Sequence, residues 1–198
     1  IGVYLDERNG AEGVVLLAKT MRGYQSLCDL VSARHLDPDF QLSTALLMSG
    51  PDLILLSQSK TLCLLGRERG FPTYFELVLD SPAHLEPVSY WKQYLQPVGI
   101  PCIASNAIWF EKMDGYVLLQ LQHAIAHKTS CHVQQTKGAN IGISVLRYFR
   151  SQEEMQRLFE SIPQALIETQ HLADQIELSF QFGRWLFPSV KPHTKDSV

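Results

Sequence analysis

The chain has 198 residues, with 17 Lys and Arg against 20 Asp and Glu, for a formal charge of −3. Hydrophobic residues make up 45% and charged residues 19%, which excludes a disordered chain. No apolar run nears the roughly 18 residues of a membrane span, and the near-neutral balance argues against a surface dedicated to coating nucleic acid, which needs clustered Lys and Arg.

The opening Ile1-Gly2-Val3-Tyr4-Leu5 reads as a strand inside a fold already begun, with no secretory signal. The four cysteines, Cys28, Cys63, Cys102 and Cys131, form no C-x-x-C pair, so buried reduced thiols and a cytoplasmic location are expected. Residues 14–18 are a continuous apolar run of strand length. Thr20 suits the N-cap of a helix reaching about Arg34, with Tyr24, Leu27, Cys28, Leu30 and Val31 on one stripe. Gly50-Pro51 precedes a second buried strand over 52–56, and a short helix over 60–69 ends at Gly70. A third strand covers 73–79, a helix 88–96 stops at Pro97 and Gly99, and a fourth strand covers 100–104. A strongly apolar helix spans about 116–127, followed by a polar loop over 129–143.

From there the texture turns helical. Ser151-Gln-Glu-Glu154 reads as a capping box, and Pro163 as the first residue of another helix carrying Leu166, Ile167, Ala173 and Ile176. The tail from Lys191 is polar. Strands alternating with helices over 14–128 imply parallel pairing, in a barrel or an open α/β sheet.

Chemistry-bearing patterns are sparse. His123 and His127 stand at i and i+4, and Cys131 and His132 could complete a zinc-like set. The carboxylate of an H-E-x-x-H site is missing, and nothing nearby supplies the outer-shell partners that ligating histidines use, so one shared metal site is not expected. His35, His84 and His193 have no partner at ligand spacing. No Walker loop, dinucleotide fingerprint or nucleophile elbow is present, and the basic turn Gly66-Arg-Glu-Arg-Gly70 reads as a solvated helix end. Glu153 and Glu154 open a helix, where the macrodipole favours acid whatever the function.

Several segments together resemble one family, the PHP (polymerase and histidinol phosphatase) domain of the bacterial DNA polymerase III alpha subunit. They are Val14-Val-Leu-Leu-Ala-Lys19 with Arg22-Gly-Tyr24-Gln-Ser-Leu27-Cys, then Asp52-Leu-Ile-Leu-Leu-Ser57, then Tyr74-Phe-Glu-Leu77. Ala104-Ser-Asn106 and Leu121-Gln-His-Ala-Ile125 follow, and last comes Tyr148-Phe-Arg-Ser-Gln-Glu-Glu-Met155 with Leu158-Phe159, Ile162-Pro-Gln-Ala165, Thr169 and Phe187-Pro188. The resemblance runs in order over nearly all of the chain. It implies a distorted (β/α)7 barrel over residues 1–145, lacking its first part, and a helical extension over 146–198 leading toward a polymerase palm.

That family's barrel holds zinc, manganese or magnesium at the C-terminal ends of its strands. Here the corresponding positions depart: Tyr4 stands for a Glu, Gly13 for a His, Ser59 for a Cys, Ala107 for an Asp and Trp109 for a His. The resemblance therefore implies a domain with no cofactor and no catalytic residue of its own, with Tyr4, Ser59 and a buried Trp109 filling the former metal cleft. It would serve DNA replication or translesion repair as a support for the polymerase core of the same chain, with a proofreading exonuclease subunit and DNA as further partners and no membrane. Two rivals stand beside it. One is a metal-dependent phosphoesterase or 3′–5′ exonuclease using surviving groups such as Glu76; the other is an unrelated small α/β binding protein.

Overall fold

The computed structural model describes residues 1–6, 13–47, 50–130, 143–180 and 182–183. β1 (Gly2–Asp6) and β2 (Gly13–Ala18) are antiparallel, paired from Gly2 opposite Leu17 to Asp6 opposite Gly13. The period-two pattern of β2 sorts its side chains: Val14, Leu16 and Ala18 are sealed on one face, while Val15 and Leu17 are half-buried on the other. α1 (Met21–Leu36) starts at the expected cap. The Thr20 Oγ accepts from the Gly23 N–H at 3.2 Å and donates to Asp52 Oδ1 at 2.9 Å, tying the helix to the turn before the next strand. Glycine is required at position 23, because a Cβ would stand 2.3 Å from the Asp52 carbonyl oxygen.

The next segment departs from the sequence reading. A six-residue helix, α2 (Leu42–Leu47), buries Leu42 and Leu46 one turn apart, and so short a helix leaves little periodic signal. The chain therefore travels out along α1 and back again, so that β3 (Leu53–Ser57) begins beside the end of β2, with Ala18 opposite Leu53, and pairs with it antiparallel. A single crossover helix would have returned the chain for parallel pairing.

Beyond β3 the expected pattern holds. α3 (Lys60–Glu68), β4 (Thr73–Val78), α4 (Glu86–Tyr94), a 3-10 turn over Gln96–Val98 and β5 (Cys102–Ser105) give parallel β3, β4 and β5. α5 (Gly115–Ala126) follows. α6 (Gln152–Leu158) opens on the expected capping box, with the Ser151 Oγ accepting from the Glu154 N–H and the Glu154 carboxylate accepting from the Ser151 N–H. α7 (Gln164–Asp174) has Pro163 at its N-cap, one place before the expected first helical position.

Among the described residues the sheet is open, in the order β1-β2-β3-β4-β5, rather than a (β/α)7 barrel. Closure would require the two edge strands to pair with further strands or with each other. Instead, α7 lies along the outer edge of β5. The Thr169 hydroxyl accepts from the Ala104 N–H at 3.0 Å and donates to the Ala165 carbonyl oxygen at 2.8 Å. A side chain thereby satisfies a backbone group that a neighbouring strand would otherwise pair. Among the described residues no helix is long and apolar enough to cross a membrane.

One sheet face carries most of the core. Around β1–β3, Leu5, Val14, Leu16, Leu53 and Leu55 pack with Leu27 and Leu30 of α1 and Leu42 and Leu46 of α2. Around β4 and β5, Phe75, Leu77 and Cys102 pack with Trp91 of α4, and Leu158, Phe159, Ile162 and Ala165 of the two C-terminal helices join the same cluster. The opposite face holds a smaller group, Ile54, Leu56, Tyr74 and Ile103 with Leu172.

Candidate cleft at the carboxyl ends of the strands

The parallel strands β3, β4 and β5 end on one side of the sheet, and the pairing of Asp6 with Gly13 brings the end of β1 and the start of β2 to the same side. Open α/β sheets characteristically hold ligands outside these carboxyl ends. A cleft of about 360 Å³ lies there, lined by Tyr4, Gly13, Val15, Leu56, Gln58, Ser59 and Glu76. Three of the five positions at which the family resemblance places metal ligands are thus brought together, along with Glu76.

The polar side chains of Gln58, Ser59 and Glu76 are already engaged. Glu76 projects from β4, where its carboxylate accepts from Ser105 Oγ at 2.7 Å and from Gln58 Nε2 at 3.2 Å. Ser59 is the N-cap of α3: its hydroxyl accepts from the Leu62 N–H at 3.3 Å. Its own N–H donates to Ser57 Oγ, and that buried hydroxyl donates to the Gly13 carbonyl at 2.8 Å. Tyr4 lies across Gly13 so closely that a Cβ there would meet the phenol oxygen at 2.3 Å. Partial burial, reinforced by the negative charges of Asp6 and Glu76, pushes the Tyr4 phenol above its ordinary pKa and keeps it neutral. Beneath the cleft floor the Cys63 thiol faces the Ser57 carbonyl, and burial pushes it up to about 12, so it is no nucleophile at neutral pH.

The other two family positions leave the cleft. After β5 the chain turns at Ala107, whose φ of 44° is left-handed, with its N–H donating to Ser105 Oγ. Residues 109–110 then pair with 147–149: the Trp109 N–H donates to the Arg147 carbonyl at 2.8 Å, and Phe110 bridges Tyr148. This pairing carries Trp109 outward, so it is 60% exposed rather than buried in the cleft. Its ring lines a separate groove with Phe110, Gly115, Leu118 and Leu119.

His123 and His127 stack one turn apart on α5, with ring centroids 4.2 Å apart; Cys131 and His132 lie outside the described residues. Among the described residues no three His, Cys, Asp or Glu side chains converge as a metal site would need. Sequence reasoning missed Gln58 and Ser105, the two donors to Glu76. It also missed Asn106, buried at the end of β5, whose amide donates to the Leu146 and Tyr148 carbonyls. Asp80, just past β4, pairs with Arg147 at 3.0 Å in the same strip. A polar residue directly following an apolar strand was the available signal, and it marks only the place, not the partner.

No family model matches the chain. Among curated proteins it is 24% identical over 203 residues to the DNA polymerase III subunit alpha of Buchnera aphidicola subsp. Acyrthosiphon pisum (strain APS), covering 90% of this chain and 17% of that protein. It is 27% identical over 121 residues to the DNA polymerase III subunit alpha of Pasteurella multocida (strain Pm70), covering 60% of this chain and 10% of that protein. The chain spans less than a fifth of the length of these relatives. In sequence, and over most of its length, it is similar to a stretch of the DNA polymerase III alpha subunit.

Proposed function

We propose that these residues form a PHP-type segment of an alpha-like DNA polymerase, acting in DNA replication or translesion repair as a structural and docking element without metal chemistry of its own. The observation that carries this reading is the interlock of Tyr4 with Gly13 in the cleft. An aromatic ring occupies the volume of a residue with no side chain, at two positions where the family resemblance places a Glu and a His. Ser59 is committed to capping α3, and among the described residues Glu76 is the one carboxylate lining the cleft. Metal-assisted phosphoester hydrolysis needs clustered cations, and a cluster needs most of its ligands at once. These residues do not fit such a cluster, so no catalytic step is assigned to them. The polymerase core of a longer chain is the expected partner, with a proofreading exonuclease subunit, DNA and a cytoplasmic setting as further parts of the same reading.

The test is elemental analysis of the purified full-length polypeptide, paired with a manganese-supplemented phosphoesterase assay. The expected result is no stoichiometric zinc or manganese and no hydrolysis. Either one at stoichiometric or catalytic level would favour the rival phosphoesterase or exonuclease, for which Glu76 with its two hydrogen-bond donors is the surviving feature.

A further inference from the structure

α5 turns an apolar stripe outward. Its twelve residues contain no Asp, Glu, Lys or Arg. Val117, Leu118, Leu121 and Ile125 fall on one stripe, yet they are 68%, 58%, 47% and 68% exposed. The inward side carries the buried Ala124 with half-buried Tyr116, Leu119, Gln120 and His123. A surface helix whose partners were all present would keep its apolar residues inward and turn polar ones outward, not a second apolar stripe. Leu118 also lines the groove of the exposed Trp109 together with Phe110 and Leu119, a groove bordered by the charged Glu111, Lys112 and Asp114, and Ile108 and Met113 in the segment before α5 are exposed as well. Contiguous apolar surface of this kind is a contact surface in proteins that stay soluble.

We infer that this face of α5, with Trp109, is the surface on which the remainder of a polymerase polypeptide packs. The inference rests on the reading proposed above and names the face it uses. The occupant is argued from size and chemistry. In the two relatives, 83% or more of the polypeptide lies outside the matched stretch, since that stretch covers 17% and 10% of them. A helix without a single charge suits a permanent contact within one chain, because interfaces that stay closed are depleted of charge at their centre.

The test uses the full polypeptide that carries these residues. Leu118→Cys and Ile125→Cys, made separately, are labelled with a maleimide and read peptide by peptide, against Leu36→Cys on α1, a position more exposed than either. The expected result is labelling slower than at the control by at least about tenfold, since reaction requires access of the thiolate, and unchanged on hundredfold dilution. Labelling at the control rate would overturn the inference, because the face would then be bare. Protection lost on dilution would overturn it too, since the cover would then be a second copy. Neither outcome touches the metal and hydrolysis measurements, so this inference and the reading beneath it fail separately.

Discussion

The two halves of the sheet are built differently. The parallel half, β3 to β5, is covered by α3, α4, α6 and α7, has Phe159 and Leu77 fully buried at its centre, and has its outer edge held by Thr169. The antiparallel half, β1 and β2, is covered by α1 and α2 on one face, while Ile1 and Tyr4 stay exposed along β1. The cleft lies on the seam between them, with Glu76 on the well-held wall and Tyr4 on the other. Of the five positions at which the resemblance places metal ligands, Tyr4 and Gly13 lie on the lightly held wall, while Ser59, Ala107 and Trp109 belong to the parallel half.

Substitutions can break or sharpen that contrast. The largest effect is expected for Phe159→Ala, which empties a fully buried ring site joining α6 to β4 and β5; it should cost about 3–5 kcal/mol in a urea titration. A cost below about 1 kcal/mol would mean that the parallel half is not the firm one. Next comes Thr169→Val, which keeps the shape but leaves the buried Ala104 N–H without its acceptor; about 1–3 kcal/mol is expected. Tyr4→Ala should cost less than about 1 kcal/mol, because the ring is largely exposed. It should also make Gly13→Ala tolerable, a non-additivity that a double-mutant cycle reads directly. Additive costs would show that the ring does not rest on Gly13.

The smallest effect concerns the cap of α6. The Ser151 N–H, and then the Tyr148 hydroxyl, hold the Glu154 carboxyl below its ordinary pKa. A depressed carboxyl contributes stability above its unfolded pKa and loses it as pH falls through the folded one. Glu154→Gln should therefore lower α6 amide protection modestly at neutral pH, where the carboxylate contribution is fully present, and flatten its fall with pH on the acid side of the ordinary carboxylate range. An identical acid profile in the variant would remove the carboxylate from the account.

Much of this architecture is written in local sequence. The apolar runs at 14–18 and 52–56 form β2 and β3 within a residue or so, Thr20 and Ser151 cap the helices expected of them, and Gly99 ends its turn with a φ of 73°. Such features depend on neighbours one to four positions away, so period and capping chemistry display them. Strand direction and sheet closure depend instead on distant segments. α2 turned an expected parallel pair antiparallel, and α7 took the edge of β5 where a barrel would have put another strand. The site divides the same way. The family resemblance placed Tyr4, Ser59 and Trp109 in one cleft; Tyr4 and Ser59 line it, beside Glu76, but whether Trp109 faces it was decided by the pairing of 109–110 with 147–149, nearly forty residues downstream. A side chain's identity travels with the sequence; the direction it points is set by whichever remote backbone supplies its hydrogen bonds.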